Sequence, residues 1–292
     1  MLLLAQKSRE FIHAITMHTF RLRPEEEAAL YLRGLYSDYG YSFYRMSRFE
    51  EYDFYSDKKD FLPSPSVLTF TDADGRMKAL RPDVTLSIIK HFRAEERVQK
   101  YFYDEKVYRV PRNSAAFREI PQAGIECMGD LDEVDTGEVI ELAVKSLQVL
   151  AGERKCVLDV CHAGTVAALL PEKGRAECLE CIRAKNIHGL KELGASEELL
   201  RLMQTEGHPS EVGNVAGLEV LSSLGEYDEQ IRVDFSAVSS LSYYNGIVFR
   251  GFIEGVSECV LSGGQYDNLM KLMGHEDAQG IGFAVNWGDV HA

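Results

Sequence analysis

The chain runs to 292 residues, 45% of them hydrophobic, enough to bury a large core in one domain or two. It carries 32 Lys and Arg against 46 Asp and Glu, a formal charge of −14, which argues against a general binder of phosphate backbones but allows a local basic pocket. No apolar run is long enough to span a bilayer, and the N-terminal MLLLA gives way at once to polar residues, so neither a membrane segment nor an export signal is expected and the chain reads as cytoplasmic.

Taken in order, residues 24–39 read as a helix: Pro24 suits its first turn, Glu25, Glu26 and Glu27 favour the positive end of the dipole, and Gly40 can end it. KVYRV at 106–110 and GIECMG at 124–129 read as strands. The two-residue period places Gln122, Gly124 and Glu126 on one face, with Ile125 and Cys127 on the other. Residues 136–151 have a helical apolar stripe of Val139, Ala143, Leu147, Leu150 and Ala151, with Asp135 and Glu138 expected to cap its start and Gly152 its end. Residues 165–229 form a helical subregion. IRVDFS, GIVFRGFIE and SECVLS then read as strands, the last two an antiparallel hairpin turning at Gly255. Gly263 and Gly264 read as turn glycines before a short helix over YDNLMKLM, and the sequence closes on GIGFAVNWGDV. Strands flanked by helices without strict alternation predict an α+β fold with an antiparallel sheet, and no linker divides the chain.

Six cysteines lie at 127, 156, 161, 178, 181 and 259, and reduced thiols are expected. Cys178 and Cys181 form one CxxC, which is either half a zinc site completed by Cys161 and His162 or two helix positions one turn apart. A single CxxC favours the second reading, and no metal or other cofactor is expected.

Six segments carry more. In order they are GYSFYRMSRFEE at 40–51, LRPDVT at 80–85, VYRVPRNSAAFREIPQAGIE at 107–126, SLSYYNGIVF at 240–249, SGGQYDNL at 262–269 and GFAVNWGDV at 282–290. Together they resemble the class II synthetase core of histidyl-tRNA synthetase. The resemblance implies an antiparallel sheet ringed by helices, an amino acid bound on that sheet, and a dimer formed through the first segment. It covers residues 1–292 as one core, and the family's C-terminal anticodon-binding domain is expected to be missing.

Three departures from the family pattern bear on catalysis. An Arg-Gly-Leu-Asp run normally precedes the tyrosine pair; here Ser239, Ser240 and Ser242 replace its arginine, glycine and aspartate. The last segment has Asn286, Trp287, Gly288 and Asp289 where Gly-Leu-Glu-Arg is expected. A carboxylate there repels a triphosphate by about 4 kcal/mol at roughly 4 Å and an effective dielectric near 20. The third segment reads Tyr108, Arg109, Val110, Pro111, keeping the phosphate-binding arginine but losing the acid that holds adenine.

The resemblance preserves an amino-acid pocket. Asp83 stands at the position of an α-ammonium partner, with the Thr85 hydroxyl beside it. Gln122 and Glu126 match the histidine-contacting pair, and Tyr243, Tyr244 and Tyr266 the aromatic lining. Plainer readings stand next to these: Asp83 as a helix cap, the tyrosines as sheet aromatics, Gln122 and Glu126 as a polar strand face. A synthetase core changed in this way resembles the family of ATP phosphoribosyltransferase regulatory subunits. That implies a non-catalytic chain, required by a short-form catalytic subunit and responsible for histidine feedback inhibition of the first step of histidine biosynthesis. It also implies a homodimer within a hetero-oligomer, with histidine as effector and no nucleic-acid or membrane partner. An enzyme activating an amino acid for a non-tRNA acceptor, or a stand-alone histidine sensor, remains as the alternative. The sequence leaves open whether the effector sits in the pocket or between subunits.

Overall fold

The computed structural model describes residues 22–56, 58, 62, 67–110, 116–238 and 243–286. Helix α1 spans Pro24–Asp38, its acidic first turn anchored where the Arg23 N–H donates to Glu26. Gly40, at φ +83°, turns the chain out of it. The short strands β1 (Ser42–Phe43) and β2 (Phe49–Glu51) follow, then the turn of helix α2 (Asp53–Ser56). Next come β3 (Thr69–Thr71), β4 (Met77–Leu80) and helix α3 (Thr85–Lys90).

The long strands β5 (Val98–Arg109) and β6 (Arg118–Gly129) pair antiparallel along their whole length. Each extends well beyond the stretch legible in sequence. Helix α4 (Glu133–Ala151) leads to β7 (Cys156–His162). The helical subregion holds α5 (Ala163–Leu169), α6 (Arg175–Arg183), α7 (Ile187–Glu192), α8 (Glu197–Leu202), the two-residue β8 (Glu206–Gly207), α9 (Pro209–Val212) and a 3₁₀ segment, Glu219–Gln230. The chain ends through β9 (Ile231–Asp234), β10 (Ile247–Ile253), β11 (Leu261–Gln265), helix α10 (Asp267–Leu272) and β12 (Gln279–Asn286).

Nine strands form one sheet in the order β1-β5-β6-β12-β11-β10-β7-β9-β8, and β2-β4-β3 form a small second sheet. The large sheet is antiparallel through its centre, as the α+β reading expects, but β1 runs parallel to β5 and β9 parallel to β7, so it is mixed. Both parallel pairs lie toward the sheet's edges, where strands arrive after long connections and not by hairpins. One face is covered by α1 and α4. There Ile125 and Cys127 of β6 join Val139, Ala143, Leu147, Leu150 and Ala151 in the larger core. The opposite face packs against α3 and α10, with Ile88, Ile89, Tyr103, Met128, Tyr266 and Leu269 in a smaller core. The period-2 reading of β6 therefore holds: its apolar face meets α4, and its polar face looks the other way.

Three sequence expectations need correction, the first being the strand read over SECVLS, of which only Leu261 and Ser262 belong to β11 because a longer loop, and not a tight turn at Gly255, joins it to β10. The start of α4 is capped by Asp132, whose Oδ1 accepts the N–H groups of Val134 and Asp135, each at 2.9 Å. Asp135 plays the reciprocal part, accepting from the Asp132 N–H at 3.3 Å. The helix begins at Glu133, three residues before the expected start at 136, because a first turn needs donors satisfied before it needs a buried face. Gly263 and Gly264 are not turn residues. They lie inside β11, opposite Phe249 and Val248 of β10 and Phe283 and Gly282 of β12. A side chain on Gly263 would fall 2.5 Å from the Phe283 Cβ, so glycine here lets a bulky neighbour lie across the strand.

Candidate functional site

The site is built on the polar face of β6. Asp83 follows Pro82, and its Oδ1 accepts the Leu86 N–H at 3.0 Å, so the plain reading of Asp83 as the cap of α3 is correct. Its other oxygen faces Arg109, the last residue of β5, with Oδ2 and Nη2 3.5 Å apart. Arg109 Nε donates to the Pro82 carbonyl. Burial pushes the Asp83 carboxyl up, against the pull of Arg109 and of backbone N–H groups, and burial pushes the Arg109 guanidinium down. For both groups desolvation outweighs the partner. This is a loosely joined buried pair and a weak source of stability.

Glu126 lies deeper. Thr85 Oγ1 donates to its Oε1 at 2.6 Å, and the Tyr266 hydroxyl donates to its Oε2. Burial lifts its carboxyl to about 8, the two hydroxyls pull it down, and nearby Asp83 pushes it up. Among the described residues no basic side chain forms an ion pair with it, so the carboxyl mostly keeps its proton at neutral pH. Space for it comes from Gly282 on β12, where an added Cβ would sit 2.1 Å from Glu126 Oε2. The Tyr103 hydroxyl lies over Gly124, where an added Cβ would meet it at 2.6 Å.

The tyrosine pair closes the pocket. Tyr243 and Tyr244 have ring centroids 4.6 Å apart, and Tyr243 reaches within 6.1 Å of Tyr266. A side-chain clamp fixes this arrangement. Asn245 Nδ2 donates to Asp267 Oδ2 at 2.9 Å, and the Asp267 N–H returns a bond to Asn245 Oδ1 at 2.8 Å. The residue after the tyrosine pair is thereby tied to the residue after Tyr266.

Of the residues singled out in sequence, Asp83, Thr85, Arg109, Glu126, Tyr243, Tyr244 and Tyr266 converge here. Gln122 lies on the same strand face two pleats along, where its Nε2 donates to Asn286 Oδ1 at 2.9 Å. Ser239, Ser240, Ser242, Pro111, Trp287, Gly288 and Asp289 lie outside the described residues. Sequence reasoning missed Tyr103, the Asn245–Asp267 clamp and the clearance supplied by Gly282. The faint signals were Asn and Asp each directly following a pocket tyrosine, and glycines alternating in GIGF.

Chemically, the pocket offers one opposed pair of charges, one neutral carboxyl able to give or accept a proton, and an aromatic wall. That suits a small zwitterion with a further polar ring. Among the described residues no group of three or more His, Cys, Asp and Glu could hold a metal. Cys178 and Cys181 sit one turn apart on α6 with free thiols, as the plainer reading of CxxC has it.

Fold and site together define a class II synthetase-like core. A family model described as histidyl-tRNA synthetase matches residues 20–290. An ATP phosphoribosyltransferase regulatory subunit from Caldanaerobacter subterraneus subsp. tengcongensis is 30% identical over 287 residues, spanning 87% of this chain and 74% of that protein. A crystal structure of an ATP phosphoribosyltransferase regulatory subunit/histidyl-tRNA synthetase from Bacillus halodurans C superposes with a TM-score of 0.75 at 25% identity, over 90% of this chain and 77% of that one. A chain of the ATP phosphoribosyl transferase (HisG:HisZ) complex from Thermotoga maritima gives 0.70 at 19% identity, over 89% and 96%, a likeness of fold alone. The chain belongs to the histidyl-tRNA synthetase-like family of ATP phosphoribosyltransferase regulatory subunits. Membership in a regulatory family means that it is not itself the catalytic subunit. Among the described residues, no helix is long and apolar enough to cross a membrane.

Proposed function

We propose that this chain is the subunit that a short-form catalytic ATP phosphoribosyltransferase requires for activity, and that it carries histidine feedback onto that enzyme. The chain assembles with itself and with catalytic subunits in the cytoplasm, and it performs no adenylation of its own. The observation that carries the reading is the state of Arg109. Arg109, which matches the phosphate-binding arginine of the synthetase pattern, here donates through Nε to the Pro82 carbonyl and faces Asp83. Family membership supplies the partner class, and the Thermotoga maritima neighbour comes from a complex of that kind. Histidine then acts as any effector must, by binding one state of the assembly more tightly than another. The residues assigned to it are Asp83, Thr85, Arg109, Gln122, Glu126, Tyr243, Tyr244 and Tyr266.

Mixing the chain with a short-form catalytic subunit tests this directly. Phosphoribosyl-ATP formation should depend on the mixture and fall on adding histidine; a catalytic subunit equally active alone would overturn the role. ATP–pyrophosphate exchange with histidine should stay at background. Measurable exchange would favour a synthetase-like enzyme acting on a non-tRNA acceptor.

A further inference from the structure

The helical subregion carries a cleft that the proposed function does not use. It has a volume of about 470 Å³ and opens between α9, the loop after it, the 3₁₀ segment Glu219–Gln230 and β9. That size falls in the range of small-molecule sites. Val215, Leu218, Leu221 and Val233 give it an apolar floor. One wall is a single stripe of the 3₁₀ segment. Side chains three residues apart eclipse in a 3₁₀ helix, and Glu219, Ser222, Gly225 and Asp228 all line the cleft. The bend at Leu224 (φ −104°, ψ 25°) therefore does not turn the stripe away. The stripe has a carboxylate at each end, with a hydroxyl and a bare glycine between them.

Among the described residues neither carboxylate forms an ion pair with a lysine or arginine. Asp228 accepts the Ser210 N–H at 2.8 Å and the Ser210 hydroxyl at 2.6 Å, and Glu219 accepts the Gly217 N–H at 3.1 Å. The Ser210 hydroxyl and N–H hold the Asp228 carboxyl below its ordinary value, and the N–H groups of Glu219 itself and of Gly217 do the same for Glu219. Both are therefore ionised at neutral pH, with neutral donors as their bonding partners. Residues 206–230 contain six acids and no Lys or Arg, so the surrounding wall supplies no counter-charge either. Ser222 Oγ donates to the Glu219 carbonyl at 2.8 Å, which leaves its lone pairs open to a donor.

We propose that this cleft binds a linear polyamine of the spermidine class, laid along the stripe with one terminal ammonium on Glu219 and the other on Asp228. Length supports it. Nine residues at about 2.0 Å each place the two ends of the stripe at most about 18 Å apart. Spermidine measures about 11 Å between its terminal nitrogens at roughly 1.25 Å per bond. A charged hydrogen bond of about 2.8 Å at each end brings its span to about 17 Å. Chemistry supports it too. The methylene stems lie against Leu218 and Leu221, and the internal ammonium meets the Ser222 hydroxyl. An added Cβ on Gly225 would meet nothing within 4 Å, so the chain passes there unobstructed.

Calorimetric titration of the full chain with spermidine, 1,8-diaminooctane and putrescine tests this. Salt at about 0.15 M screens the general attraction of an acidic surface for cations. The two diamines carry the same charge and differ in length, and the longer should bind about fivefold more tightly. Glu219→Gln and Asp228→Asn keep acceptors for the Gly217 and Ser210 donors. Each should weaken spermidine about three- to fivefold, the scale of one exposed ion pair. Glu229→Gln removes an exposed acid of the same segment that does not line the cleft, and should leave the affinity unchanged. Thermal melts confirm that each variant folds. Absence of saturable spermidine binding would overturn the proposal, as would equal affinity for the two diamines. So would an equal loss in Glu229→Gln, because the acidic surface at large would then hold the ligand. If a variant does not fold, the comparison of diamine lengths on the unaltered chain still decides.

Discussion

Glu126 shows how one residue can be costly to the fold and useful to the site. Burial, with a smaller push from nearby Asp83, lifts its carboxyl to about 8 against the downward pull of the two hydroxyl bonds it accepts. The unfolded chain would release that proton near 4.5. Between those values the native state holds a proton that the unfolded state has lost, so stability contributed here falls as pH rises through the window. The loss is on the order of a few kcal/mol by the end of it. Glu126→Gln keeps the shape and removes the titration. Melting temperatures measured at pH 5 and pH 8 should drop more for the unaltered chain than for Glu126→Gln; equal drops would show that the carboxyl is ionised throughout. His162 works in the opposite direction, since burial pushes its imidazole down, but it is common to both proteins and cancels in the comparison. At this scale the sequence was informative about identity and silent about state. Glu126, Thr85 and Tyr266 could be named from motif order, because motif order survives in a linear string. That they bond to one another, that Asp83 is both cap and charge partner, and that Tyr103 lies over Gly124 depend on pairings between distant strands.

Among the elements, α4 separates what periodicity reveals from what it hides. Its stripe was legible because five buried positions recur at helical spacing. Its true start was not, because Asp132 lies outside the stripe and competes with Asp130, Glu133 and Asp135 as a plausible cap. The same limit shortened β5 and β6 on paper. Lys100, Asp104, Glu105 and Lys106 interrupt the apolar pattern, yet the strands run on because each residue of one faces a residue of the other in unbroken antiparallel register. Ion pairs absorb several of those charges, among them Lys100 with Glu138 and Lys106 with Glu119. The cap assignment is testable. Asp132→Ala removes an acceptor for two backbone N–H groups and should cost about 1 kcal/mol, or about 2–4 °C in melting temperature. Glu138→Ala, at the other cap position suggested by sequence, removes only a half-exposed pair with Lys100 and should cost less. A larger loss from Glu138→Ala would reverse the assignment.

For the whole molecule the open matter is where an effector acts, and the architecture makes this measurable. The pocket face and the α1–α4 face lie on opposite sides of one continuous sheet. The pocket's walls come from β5, β6, α3, β12 and the segment before β10, so a ligand bound there would tie together elements far apart in sequence. Such a ligand, binding the folded chain and not the unfolded one, stabilises by about 2.7 kcal/mol at one hundred times its dissociation constant. Histidine in the inherited pocket should therefore raise the melting temperature of this chain alone, and Glu126→Gln should diminish that shift. Histidine held between subunits should leave the isolated chain unmoved and raise the melting temperature only after catalytic subunit is added, with Glu126→Gln making no difference. The two arrangements predict opposite results for the same protein under the same heating ramp. The melt of the isolated chain with histidine therefore distinguishes an effector read by the old synthetase floor from one read by the assembly.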